Sequence, residues 1–206
     1  MKERPILFNQ SSIKAILEGR KTQTRRIIKK QFIHILPMRI PNEWVTLDTT
    51  NPNHGSIIKC RFGDIGDHLW VRETWRVNKD FDNLKPSLIL VAMNNDVQGC
   101  IDYRATQRGE SFWGKWRPSI HMPRWASRIS LEIIRIRVER AQNISLHDIN
   151  AEGTPHTLDK GVRPFGTRRE QFQRYWDSIY SKQGYGWDEN PWVWIIEFKK
   201  LESEEE

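Results

Sequence analysis

Cysteine is scarce in this sequence. There are two, Cys60 and Cys100, among 206 residues, and they form no Cys-x-x-Cys pair. That argues against a disulfide framework and against a closed zinc site. Long apolar runs are missing too. No stretch approaches the roughly 20 residues that a membrane-crossing helix needs. Met1-Lys2-Glu3-Arg4-Pro5 leads into only three apolar residues, too few for a secretory signal. Internal repeats are absent, and nothing in the residues calls for a metal or a cofactor. The expectation is a protein of the reducing cytoplasm with no membrane partner. Acidic charge falls short of basic charge, 26 Asp and Glu against 33 Lys and Arg, for a formal net charge of +7. Such an excess favours a polyanionic partner, nucleic acid above all.

What is present is enough for one domain with a real core and sizeable insertions. Hydrophobic residues make up 37% of the chain, and ten of its residues are Trp, each of which can bury a large area. The stretch that organises the rest is Gly19-Arg20-Lys21-Thr22-Gln23-Thr24-Arg25-Arg26. It follows an amphipathic segment in which Ile13, Ile16 and Leu17 share one helical face. Ser11 or Ser12 is placed to cap that helix, and Gly19 to stop it. The octet therefore reads as an exposed loop holding four cations and no acid. Two readings stand: a solvated basic turn, or a site for an anionic or strongly polar ligand.

Further along, Pro5–Asn9 reads as a first strand and 38–60 as an irregular insertion. A double Gly-Asp turn at 62–68 delivers the strand Leu69–Trp75. Leu69, Val71 and Glu73 share one face of that strand and Trp70, Arg72 and Thr74 the other. A carboxylate on an apolar face is either solvated at a strand end or a buried acid with a task. The second insertion, 76–126, interleaves Trp113, Trp116 and Trp125 with Lys115, Arg117, His121 and Arg124. That pattern fits a base-stacking, phosphate-contacting surface, with Trp116 and Trp75 as stacking candidates, or equally a Trp-rich loop packed on the core. Residues 127–141 form the longest strand. Ile129, Leu131 and Ile133 alternate cleanly, then the phase slips to Ile134, Ile136 and Val138, as at a β-bulge. Ser145 and Gly153 bound a helical turn. After a loop at 154–166, Thr167 caps a helix reaching 181, with Phe172, Trp176 and Ile179 inward and Tyr175 and Tyr180 beside them. Trp192–Phe198 closes as a buried strand, and 202–206 is an acidic tail.

Gly19-x-Lys21-x-x-Thr24-x-Arg26 after a first helix, Gly66-Asp67-x-Leu69 before a strand, Ala151-Glu152-Gly153 after the long strand, and Val193-x-Ile195-x-Glu197-Phe198 together resemble the ASCH domain family. The likeness covers most of the chain and is strongest with the longer phage and prophage branch, where Trp70–Trp75 and Trp116-x-Pro118-x-x-x-Met122-Pro123 recur. It implies an α+β fold: a small, mainly antiparallel PUA-like β-barrel flanked by helices. It would be a single domain over 1–201, with long loop insertions at 38–60, 76–126 and 154–166. Leu69, Val71, Ile129, Leu131, Val193 and Ile195 are expected in its core. The resemblance also implies a cleft that holds RNA or a modified nucleoside, inside a bacterial host cell. A positive rim is expected from Arg20, Lys21, Arg25 and Arg26, joined by Arg72 and Arg128. One compact branch of the family is similar to an amidohydrolase that deacetylates N4-acetylcytidine, and its functional Lys, Thr and Glu match Lys21, Thr24 and Glu152. In that chemistry Thr24 is the nucleophile, a neutral Lys21 its base, and Glu152 the acid that orients or relays, with Glu73 as the rival carboxylate. Relatives labelled as morphogenetic leave a role in phage assembly as a third option.

Overall fold

The computed structural model describes residues 1–32, 34–38, 42–47, 55–93, 99–107, 109, 112–154 and 166–202. In chain order the elements are β1 (Glu3–Leu7), α1 (Gln10–Leu17), β2 (Gln23–Ile27), β3 (His34–Pro37), β4 (Trp44–Leu47), β5 (Ser56–Ile58), β6 (His68–Arg72), β7 (Trp75–Val77), α2 (Pro86–Ala92), β8 (Ile101–Tyr103), β9 (Ser130–Arg140), α3 (Leu146–Ala151), α4 (Arg168–Tyr180) and β10 (Trp192–Lys200). The fold is α+β, and its strand pairs are antiparallel except β1 with β6. No helix among the described residues is long and apolar enough to cross a membrane.

The main sheet has the order β1-β6-β9-β10-β2. A closed barrel was expected, and the sheet does not close. Strands β1 and β2 stand at its two edges, and no ladder joins them among the described residues. Where closure would occur, side chains meet instead: Arg26 on β2 donates through Nη2 to the Leu7 carbonyl at the end of β1, at 2.6 Å. The phase slip read in residues 127–141 is a real irregularity. Opposite β10, Glu197 pairs with Arg135 and Phe198 with Ile133, so Ile134 is skipped and stands 46% exposed. Residues 38–60, expected to be irregular, instead contribute β4 and β5 to a three-stranded sheet with β3. The loop expected at 154–166, apart from its first and last residues, and the tail from 203 onward lie outside the described residues.

The main sheet is covered on both faces, and β10 is accordingly apolar at successive positions. Trp194, Ile196 and Phe198 join Leu69, Val71, Ile129 and Leu131 in the larger cluster, together with Ile13 and Ile16 of α1. Val193 and Ile195, expected in the same core, face the other way. They pack against Ile149 of α3 and Phe172 and Trp176 of α4. Complete burial of a side chain the size of Phe172 contributes about 1.5–3 kcal/mol. A third cluster lies inside the 76–126 insertion, where Val77, Ile89, Ile101 and Met122 surround Trp75.

Helix ends follow their local chemistry. Thr167 caps α4 and Ser145 caps α3, each in a reciprocal capping box, with Glu170 and Asp148 respectively. Gly19, at φ 72°, turns the chain out of α1 as expected. The N-cap of α1 is not Ser11 or Ser12 but Asn9, whose side chain accepts from the Ser12 amide at 2.9 Å.

Candidate functional site

The basic octet does not form an exposed loop. Its second half is β2, and Lys21, Gln23, Thr24 and Arg25 are all buried. The Lys21 amide bonds back to the Ala15 carbonyl at the end of α1. Lys21 also makes an antiparallel bridge to Glu152, and Thr22 donates to Ala151. The segment 151–153, which ends α3, is thereby drawn against the outer side of β2. Gly153 makes this approach feasible, as a Cβ there would lie 2.7 Å from Lys21 Cβ and 2.8 Å from Ala15 Cβ.

This local geometry creates a chain of alternating charge. Lys21 Nζ donates to Glu152 Oε2 at 2.9 Å and to the Glu152 carbonyl at 2.8 Å. Arg25 Nη1 takes the other carboxylate oxygen at 3.1 Å, and its Nη2 lies 3.4 Å from Asp148 Oδ2. Asp148 Oδ1 then accepts from Arg137 at 2.9 Å, and Arg137 also reaches Glu197 at 3.1 Å. Burial alone would raise the Asp148 carboxyl. Hydrogen bonds from the Ser145 hydroxyl and amide, with the charges of Arg25 and Arg137, overcome that and hold it at about 2.

A cavity of about 230 Å³ opens in the gap between β1 and β2. Lys21, Thr24, Arg25, Arg26 and Glu152 line one side, and Leu7, Phe8, Asn9 and Ser12 the next. Helix α4 supplies the opposite wall with Phe172, Tyr175, Trp176, Ile179 and Tyr180. The Tyr175 hydroxyl is tied to Asn9 Nδ2 at 3.3 Å and to Ser12 Oγ at 3.2 Å. Burial raises the Tyr180 phenol above its ordinary value. The hydroxyl of Thr24 is hydrogen-bonded to none of the described residues. Lys21, Thr24 and Glu152, matched from the family resemblance, thus share one cavity. The octet holds no acid of its own, yet Lys21 is matched by Glu152, and Arg20 pairs with Glu18 while also donating to the Gly153 carbonyl at 3.3 Å.

The remaining candidates lie elsewhere. Glu73 does not enter this cavity. It is buried in a bidentate pair with Arg128, at 2.9 and 3.1 Å, beside a separate cavity of about 250 Å³ that shares only the Phe8–Asn9 segment with the first. Burial raises the Glu73 carboxyl, against the pull of Arg128. Arg128 also stacks on Tyr103, 4.0 Å from the ring centre. Trp75 is fully buried, edge-on to Trp125, so no base can stack on it. Trp116 is held between Arg76 and Arg104, at 4.1 and 5.0 Å. Arg72 lies over Trp70 and donates to the Ile120 carbonyl at 3.3 Å. The aromatic wall from α4 has only a weak sequence signal: two Tyr beside an apolar stripe look the same as the edge of a buried face. Phe8, Asn9 and Ser12 gave no signal beyond a strand end and a helix start.

No family model, curated protein or solved structure matches the chain. The site therefore has to be read from its own chemistry.

Proposed function

We propose that the cavity between β1 and β2 binds a single nucleobase or modified nucleoside, free or swung out of an RNA strand. The observation that carries this reading is the meeting of Lys21, Thr24 and Glu152 with an aromatic wall in one small cavity. Its volume of about 230 Å³ is below the roughly 300 Å³ at which drug-sized pockets begin. That size suits one ring system and not a length of strand. Phe8, Tyr175 and Tyr180 offer ring faces and edges, which favour flat aromatic ligands. Donors from Lys21 and Arg25 and acceptors on Glu152 suit the mixed polar edge of a base. The motifs shared with ASCH-domain proteins support the same reading, and under it the open sheet is the body of a PUA-like barrel.

A second reading, hydrolysis of an amide on the base, is favoured by one further observation: Thr24 lines the cavity, and its hydroxyl is hydrogen-bonded to no described residue. With Lys21 matched to Glu152, the roles differ from those drawn from the resemblance. Glu152 is the base. It takes the proton of the Thr24 hydroxyl, or of a water, as the oxygen adds to the amide carbon. The Lys21 ammonium and the Arg25 guanidinium face the oxygen that gains charge. The carbon–nitrogen bond then breaks, and the proton held by Glu152 passes to the departing amine. If Thr24 attacked, a water hydrolyses the ester.

Thermal shift and calorimetry against a nucleoside panel test binding, and release of acetate from N4-acetylcytidine tests hydrolysis. The expected result is binding that Lys21→Ala and Glu152→Gln abolish and Glu73→Gln leaves intact. Failure of every base and nucleoside to bind the wild type ends the binding reading. An absence of turnover with N4-acetylcytidine ends the hydrolytic one for that substrate. Turnover that survives Thr24→Ala assigns the attack to water.

A further inference from the structure

Cations outnumber carboxylates in the cavity. Lys21, Arg25 and Arg26 line it, and Glu152 is the one acidic side chain among its described walls. Glu152 is already divided between Lys21 and Arg25. Asp148, behind Arg25, is divided between Arg25 and Arg137. Neither is left for Arg26, which makes no salt bridge with any described residue.

Arg26 is nonetheless half-buried. Its guanidinium lies 4.8 Å from the centre of the Phe8 ring and 5.9 Å from that of Phe62. One Nη2 bond reaches the Leu7 carbonyl, while its Nε is buried and unpartnered among the described residues. Burial pushes the group below the usual arginine value. A half-buried guanidinium with no ion pair of its own keeps its positive charge largely unmatched, and aromatic rings offset only part of that. The surplus positive charge at the cavity calls for negative charge, which a neutral base does not supply.

We infer that the cavity takes a ligand bearing an oxyanion, a phosphate or a carboxylate, which Arg26 holds beside the ring. This deepens the proposed function and rests on it for the ring, though not for the anion. It makes the ligand a nucleotide, or a planar ring acid, in preference to a neutral nucleoside. Guanidinium suits this task because its fork meets an oxyanion with two parallel bonds.

The experiment compares wild type and Arg26→Gln in their binding of inorganic phosphate, cytidine, cytidine 5′-monophosphate and orotate, by calorimetry at low and high salt. Wild type should bind the monophosphate or orotate at least about tenfold tighter than cytidine, and rising salt should erode that advantage. Arg26→Gln should lose the advantage while keeping its affinity for cytidine. Arg26→Lys, which keeps charge without the fork, should fall between the two. Preference for the monophosphate assigns a phosphate, and preference for orotate a carboxylate. Equal binding of cytidine and both acids by wild type overturns the inference and leaves the nucleoside reading standing. So does an advantage that survives Arg26→Gln. Arg26-dependent binding of phosphate with no binding of cytidine or either ring acid keeps the anion site and removes the nucleobase. Binding of none of the four removes both.

Discussion

Replacing Gly153 with alanine is the sharpest test of how the site is assembled. Gly153 follows Glu152 at φ 68°, in the left-handed region. An L-residue there costs about 1–2 kcal/mol from backbone sterics alone. The added methyl also has nowhere to go, with Lys21 Cβ at 2.7 Å and Ala15 Cβ at 2.8 Å. Both are first side-chain atoms, fixed by their backbones, so no rotamer change relieves the clash. Crowding of this kind typically costs about 1–3 kcal/mol more. The expected loss for Gly153→Ala is therefore about 2–5 kcal/mol. Gly184 is the control: it has φ 77°, but nothing lies within 4 Å of its added methyl. Gly184→Ala should lose only the backbone part, about 1–2 kcal/mol. Urea unfolding of both variants measures the difference. Ligand binding provides a second readout, since a shift of Lys21 away from Glu152 weakens the site in the first variant only. Equal destabilisation by the two substitutions would refute the close approach of 151–153 to β2, and with it the positioning of the Lys21–Glu152 pair.

Two further outcomes are expected. Asp148 is held at about 2 against an ordinary 3.8. A depressed carboxyl stabilises the fold above its unfolded value, so this contribution is whole above about pH 4 and is lost between pH 4 and 2. Asp148→Asn should lower stability at pH 7 by about 1–2 kcal/mol, after discounting for solvent screening, and flatten the acid limb of the stability curve. A wild-type and variant difference that persists unchanged at pH 2 would contradict it. At the β9 bulge, Ile133→Ala should cost about 2–5 kcal/mol and Ile134→Ala less than about 0.5 kcal/mol by denaturant unfolding, because only Ile133 is fully buried. The reverse order would put the register slip in the wrong place.

Local signals in the sequence were read well. Thr167 and Ser145 each sit three residues before an acid that completes their caps, and the change of phase at Ile134 is visible as two adjacent isoleucines. What escaped was non-local. Four cations without an acid look exposed when read as eight residues, yet the carboxylate that Lys21 and Arg25 share is 131 and 127 residues away from them. Strands β4 and β5 span four and three residues, too short for an alternation to stand out among Asn, Pro and Thr. Trp75 shows the reverse case: aromatic residues mixed with Arg look alike whether they are open to bases or packed away, and its complete burial excludes the first.

The strand order carries a consequence for how the chain comes into being. Among the described residues of the sheet, β2 pairs only with β10, at Gln23–Ile27 against Val193–Glu197. During synthesis, residues 20–26 therefore wait without a partner strand until residues 192–200 have left the ribosome. At about 5–20 residues per second that interval is on the order of ten seconds or more. The carboxylates that pair with the charges of this segment, Asp148 and Glu152, are made about 40 residues earlier than that strand, so the charge of the segment is matched before its backbone is.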